Sequence, residues 1–174
     1  MNPDVPYFED GTTRTLRYLR ENLGGNFRAY LEGDPVAIPL SLMPCICVVK
    51  QSGTTSPSAT GTNDITESIL IKVVLNKGDD FGANLSEPNI DLTERKLRNI
   101  VSGRDKTTAN FLPETIFGIL TSNFTLGNQV LSMGLRDEYG VDQRPNPESE
   151  EAIITAEAYI TLDLTMRVIV IPRT

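Results

Sequence analysis

Between Ile153 and Ile171 apolar and polar side chains alternate almost without interruption. Ile154, Ala156, Ala158, Ile160, Leu162, Leu164, Met166, Val168 and Val170 fall on one side. Thr155, Glu157, Tyr159, Thr161, Asp163, Thr165 and Arg167 fall on the other, where only Ile169 and Ile171 break the polar set. A side-chain period of two belongs to a β-strand with one buried and one wet face. At about 3.3 Å per residue such a strand runs about 60 Å, far beyond the usual strand of about 5–6 residues. It must bend, change sheet or lie against a neighbouring subunit. The pattern therefore points to assembly before it points to catalysis.

Upstream, the periodicity changes several times. Leu16, Leu19 and Leu23 recur at helical spacing and Gly24-Gly25 supplies a stop, predicting a helix from about Thr12 to Leu23. Arg14, Arg17 and Arg20 make a second stripe beside the leucines. It reads either as a solvated face or as a contact with an acidic patch on a neighbouring subunit. Phe27 to Leu31 fits a short strand or a continued helix equally well. Asp34-Pro35 and Pro39 then break the chain before a β-rich core strand over Cys45–Lys50.

Gln51 to Asn63 carries no large apolar residue and reads as a mobile loop, too polar to pack. Asp64 to Leu75 is a strand with Ile65, Ile69, Ile71, Val73 and Leu75 inward. If it pairs antiparallel with the preceding strand, residues 51–63 form the tip of a long hairpin. The run from Lys77 to Gly82 reads as a turn and loop whose Asp79-Asp80 pair is solvated. A helix is predicted over Asp91–Val101, with Asp91 as N-cap, Glu94 completing a capping box, and Leu97, Ile100 and Val101 buried. A short helix opened by Pro113 runs to Leu120. Gln129–Tyr139 contains a strand with Leu131, Met133 and Leu135 on one side, and Asp142–Glu150 is a polar, proline-broken loop. The sum is a single α+β domain over residues 1–174. Its sheet is mainly antiparallel, with a long hairpin, and two or three helices pack on one face.

Charge and composition narrow what such a domain does. A net charge of −7 argues against binding driven by phosphate neutralisation, although DNA could still pass such a surface without being gripped. Histidine is absent, which removes Ser-His and Cys-His nucleophiles and His metal ligation. Cys45 and Cys47 share a strand face but supply too few ligands for zinc, and read as small buried hydrophobes. Gly-rich phosphate loops are missing from the sequence. Glu157 and Asp163 share a face, yet six residues of strand separate them by about 20 Å. A glycosidase pair needs its carboxylates within roughly 10 Å. The expectation is a non-enzymatic protein with no cofactor and no metal. No apolar run is long enough to span a membrane, and the first residues are neither basic nor apolar, so no signal peptide is expected. The polar face of the last strand, with Glu157, Thr161, Asp163 and Thr165, is either a solvated sheet face or the hydrated wall of a ring.

The succession of elements resembles a known family. It comprises an amphipathic helix, the strand Leu42-Met-Pro-Cys-Ile-Cys-Val-Val49 and a hairpin tip. The strand Asp64-Ile-Thr-Glu-Ser-Ile-Leu-Ile-Lys-Val-Val-Leu75, the helix Leu92–Val101 and the closing strand Ala156–Val170 follow. This order is similar to that of the tail terminator and tail-completion (neck) proteins of long-tailed bacteriophages, and it covers the chain from about Thr12 onward. The resemblance implies a virion protein, made in the host cytoplasm, that forms a homo-hexameric ring on the tail tube. The ring would stop tube growth and join the tail to the head connector while DNA passes through. On this reading Arg14, Arg17 and Arg20 lie at a subunit boundary. Thr54, Thr55 and Ser58 lie on the hairpin that reaches the tube or the connector. Another neck adaptor, a tail tube subunit, and a small cytosolic domain with a ligand on its concave sheet face remain alternatives.

Overall fold

A computed structural model describes residues 9–35, 37–59, 61–77, 90–145 and 154–169. Among them, α1 (Gly11–Leu23) leads through a short 3-10 turn at Gly24–Asn26 into β1 (Ala29–Glu32). There follow β2 (Cys45–Pro57), β3 (Thr62–Asn76), α2 (Ile90–Ser102), α3 (Ile116–Ser122), β4 (Ser132–Pro145) and β5 (Ile154–Ile169). The five strands form one sheet in the order β1-β2-β3-β5-β4. Only β1–β2 is parallel; the other three pairings are antiparallel. This is the expected α+β class, and within Phe27–Leu31, left open between strand and helix, the chain is strand from Ala29.

Alternation along β5 and β3 builds the core. Ala156, Ala158, Ile160, Leu162, Leu164 and Met166 face the same side as Ile69, Ile71, Val73 and Leu75, and all are buried. Leu19 and Leu23 of α1, Leu97 and Val101 of α2, and Ile116 and Leu120 of α3 close over them in one cluster. Burying these side chains at about 25 cal/mol per Å² supplies the dominant stabilisation. On the opposite face a smaller cluster joins Ile38, Met43, Cys45, Cys47 and Val74 beneath the chain that links β1 to β2.

Three boundaries differ from the sequence expectation. The helix α1 starts at Gly11 with Asp10 as its cap, whose carboxylate accepts from Thr13 N–H at 3.1 Å. Its buried face runs through Thr12, Thr15, Leu19 and Leu23, leaving Leu16 half-buried at the margin. The stripe was centred about one position off because two threonines occupy the inner line. In α3, Thr115 is the N-cap and accepts from Gly118 N–H at 3.0 Å, so Pro113 lies in the turn before the helix. In α2 the first turn begins at Ile90, one residue before the expected cap; the side chain of Asp91 lies outside what is described, as do residues 78–82.

The largest departure concerns residues 51–63, predicted as a loop. The strand β2 continues to Pro57 and β3 begins at Thr62, with register from Cys45↔Val74 to Pro57↔Asn63. Sheet extension here is held by the backbone ladder and by β-branched threonines, neither of which needs apolar burial. Likewise β4 runs to Pro145, so the expected loop from Asp142 starts as strand. Residues 146–150 lie outside the described chain, as do 170 and 171 at the end of the long alternation.

Candidate assembly surface

Past the core, the sheet outgrows its helices. The backbone N–H of Gly11, at the start of α1, donates to Glu67 Oε2 at 2.7 Å, so the helix ends over Glu67. Beyond that point β2 and β3 continue to a turn closed by Ser58 N–H to Thr62 O and Thr62 N–H to Ala59 O, with Gly61 at φ 77°. Every β2 residue from Lys50 to Pro57 is exposed, and Ile169, opposite Thr62 at the end of β5, is 80% exposed.

The same part of β2 has one unused edge. Its neighbour β1 pairs only with Cys45–Val48. From Val49 to Pro57, no strand among the described residues pairs with β2 on the side away from β3. An uncovered row of peptide groups of this length is a template for another strand. Thr54 (opposite Thr66) and Thr55 (opposite Ile65) lie on this extension, and Ser58 in the turn that closes it.

On the wet face, cross-strand charge pairs fix the extension's shape. Arg167 grips Asp64 with two hydrogen bonds of 2.7 and 3.0 Å and also donates to Ser58 Oγ at 3.0 Å. Arg136 grips Asp163 at 3.0 and 2.9 Å. Bidentate geometry is the strong form of such contacts. Thr165 lies between Thr66 and Ser132 in register, and Thr161 opposite Leu70. Glu157 is buried 3.3 Å from Lys72 Nζ, which also donates to Asp34 at 2.7 Å. The four face candidates share one sheet face, but it is not wet throughout: Glu157 and Thr161 are buried, on the face that carries the Cys45–Cys47–Val74 cluster, and Glu157 and Asp163 belong to two separate ion-pair groups. The arginine bond to Asp64 holds its carboxyl below the ordinary value of 3.8. A depressed carboxyl contributes stability above its unfolded value and loses it as pH falls through the folded one. Carbon-detected NMR titration should place Asp64 below 3.8, and Arg167→Ala should move it upward. An unmoved midpoint would break the link between the two residues.

Two residues of the arginine stripe of α1 are engaged within the chain. Arg14 donates to Glu9 O at 2.8 Å and to Gln129 O, and Arg17 pairs with Glu9. Both side chains therefore tie the chain to itself, and only Arg20 of the three is fully exposed. Sequence spacing showed that the three share a helix face; it could not show that the loop before β4 returns to that face.

Cys45 and Cys47 are free, buried thiols in the second cluster. The hydrogen bond with Cys47, and then burial, push the Cys45 thiol well above its usual range, so it stays protonated. At Lys72 burial opposes the charge. The Asp34 hydrogen bond and the Glu157 and Asp34 charges outweigh it, and the ammonium is held above its ordinary value.

One concavity was not legible in the sequence. A cavity of about 730 Å³ opens between the end of α1, the outer side of α2 and the 103–115 connection. Leu23, Phe27, Ile100 and Leu112 give it apolar walls, and Arg95, Lys96, Arg104 and Lys106 stand around it. Arg95, Asn99 and Gly103 recur at helical spacing, but residues 104–115 come from a connection whose path only the folded chain reveals. That connection is well tied. The Asp105 carboxylate accepts from Thr107 and Thr108 N–H at 2.9 and 2.7 Å, and Arg104 lies 4.2 Å from the Phe111 ring centre.

Among the described residues no group of three or more His, Cys, Asp or Glu is placed to hold a metal, and no helix is long and apolar enough to cross a membrane. Neither the protein-family models nor the curated proteins contain a match to this sequence.

Proposed function

We propose that this chain is a structural virion subunit that closes with copies of itself into a ring, of six members, at the top of a bacteriophage tail. There it would end growth of the tail tube and join the tail to the head connector. The observation that carries the reading is the β2 extension. From Val49 to Pro57 it presents an edge that no strand among the described residues pairs, on a ribbon that has left its own helix layer. A rigid ribbon of that kind gains by adding a neighbour's strand, because the peptide groups are already aligned. The acidic balance suits a passage through which DNA slides. Phage identity rests on the order of elements and on this edge. A tail tube subunit is the nearest rival, since it too would add strands to the edge.

Mass in solution separates the two. A discrete hexamer is expected for a ring, whereas a filament would move the assignment to a tube protein. The ribbon is tested by replacing Thr55–Ile65 with Asn-Gly, which leaves Thr54↔Thr66 as the closing pair of a two-residue turn. The shortened protein should keep a cooperative thermal transition and lose tail–head joining in reconstitution with purified tails and heads. Normal joining by the shortened protein would remove the ribbon from the function.

A further inference from the structure

The cavity between α1, α2 and the 103–115 connection takes no part in strand addition, and its lining is unlike the rest of the chain. Acids outnumber bases by 23 to 16 in the whole sequence. Among the described residues, the cavity wall carries four bases and a single carboxylate, Glu114. The bases are solvent-exposed, whereas Leu23 and Phe27 are buried and Ile100 and Leu112 half-buried. A wet charged rim around an apolar floor is the anatomy of a protein contact.

The rim has length as well as sign. Arg95, Asn99 and Gly103 follow one line along α2, and the Gly103 N–H still donates to Asn99 O at 3.1 Å, so helical spacing holds to its end. Eight residues at 1.5 Å each set Arg95 about 12 Å from Gly103, where the connection begins with Arg104 and Lys106 two residues on. Cations therefore stand at both ends of a trough, with Ile100 between them. Arg104 is held in place there, donating to Ala109 O at 3.1 Å and lying over the Phe111 ring. An extended peptide covers about 12 Å in four residues.

We propose that this trough receives an acidic segment of a partner protein, in which one or two large apolar side chains sit between carboxylates about four residues apart. Charge complementarity selects the class of occupant. Exposed ion pairs are screened and add little to affinity, so the apolar residue is the anchor and the carboxylates set the orientation. An inorganic anion or the phosphate backbone of DNA would satisfy the rim and leave the floor without contact. A fatty acid brings one charged end to a trough that has two. The docking uses no part of β2 and does not require the chain to assemble with itself.

The test uses the full chain and the fluorescein-labelled peptide Asp-Glu-Leu-Phe-Glu-Asp. Saturable binding, read by fluorescence anisotropy, is expected. The control peptides Asn-Gln-Leu-Phe-Gln-Asn and Asp-Glu-Ser-Ser-Glu-Asp should each bind about tenfold more weakly or worse. With p-benzoylphenylalanine in place of its phenylalanine, the peptide should cross-link to residues 95–115 or 23–27. The double variant Arg95→Glu, Lys106→Glu should keep the wild-type thermal midpoint and bind the acidic peptide about tenfold more weakly. It should also bind Lys-Lys-Leu-Phe-Lys-Lys better than the wild type does. A cavity already filled by an acidic segment of the same chain, or of a second copy, would refuse the peptide. Absence of saturable binding therefore overturns the docking, as do cross-links confined to other surfaces. Equal binding of the apolar-free control, or equal displacement of the peptide by dodecanoate or a short DNA duplex, makes the rim a site for anions in general and overturns it too. Each result is read at the cavity, so a chain that fails to form rings removes the ring reading and leaves this one standing.

Discussion

Glu67→Ala should lower the stability of the fold by about 3 kcal/mol, with a fall in thermal midpoint of roughly 6–12 °C for a domain of this size. Glu67 is polar, yet its side chain is only 2% exposed. It lies on the helix side of β3, where Ile65 and Ile69 set an apolar line. Its carboxylate accepts from the first backbone N–H of α1 at 2.7 Å and pairs with Lys50. The first N–H groups of a helix have no partner within it, and the helix dipole favours a negative charge there. Alanine would leave the Gly11 N–H without its acceptor and a void beside Leu164. Lys50 is 42% exposed and can return to water, which places the loss at the low end of the range for breaking a buried pair. Glu67→Gln keeps an acceptor for Gly11 and should cost about half as much. Chemical denaturation of the three proteins measures both values. A loss below about 1 kcal/mol for alanine would show that α1 is seated by its leucines alone.

Gly118→Ala should cost about 3 kcal/mol or more, the upper end of overpacking effects. The position is helical and shows no unusual backbone angle, so on propensity alone alanine would stabilise α3 by about 1 kcal/mol. Packing reverses the sign. A Cβ at Gly118 would overlap the carbonyl oxygen of Leu112 and lie 2.8 Å from its carbon, and both atoms are backbone. The Leu112 carbonyl also accepts from Thr115 N–H at 3.0 Å and from Thr115 Oγ1 at 2.7 Å, so it cannot move without disturbing the cap of α3. The comparison of midpoints between wild type and Gly118→Ala decides the matter. A stabilised variant would mean that the 112–115 turn yields to the methyl group at little cost.

How much of this was readable before folding differs by element, and the difference is physical. Hydrophobic periodicity reports burial, so β3, β5 and the inner face of α2 were legible from Ile69, Ile160, Leu97 and their neighbours. The β2 extension was missed because Thr54 and Thr55 are held by peptide hydrogen bonds and bury nothing. Their β-branched side chains, followed by a turn ending at Gly61, were the available signal. Arg14 and Arg17 were placed on one helix face, but their contacts with Glu9 and Gln129 were not foreseen. Whether an exposed arginine meets solvent, a neighbour or its own chain depends on which loop returns beside it, and sequence spacing does not contain that. The polar face of β5 was read as hydrated, yet Thr155, Glu157 and Thr161 on it are buried, and the charge partners Asp64, Lys72 and Arg136 follow only from register. The cavity could not be read at all, since its walls come from three segments far apart in sequence.

The register of β2 against β3 slips between Lys50 and Ser52. The irregularity sits where the strand leaves the core and where, among the described residues, its outer edge loses its partner; a bulge there increases twist and turns the edge out of plane. An arriving strand must follow that bend from one half of the edge to the other. A flat strand from an unrelated chain would match peptide groups on one side of the slip and miss them on the other. Under the proposed strand addition the bend would work as a key cut into the edge: it would admit a strand that carries the matching phase and make the ribbon a poor seed for indiscriminate stacking.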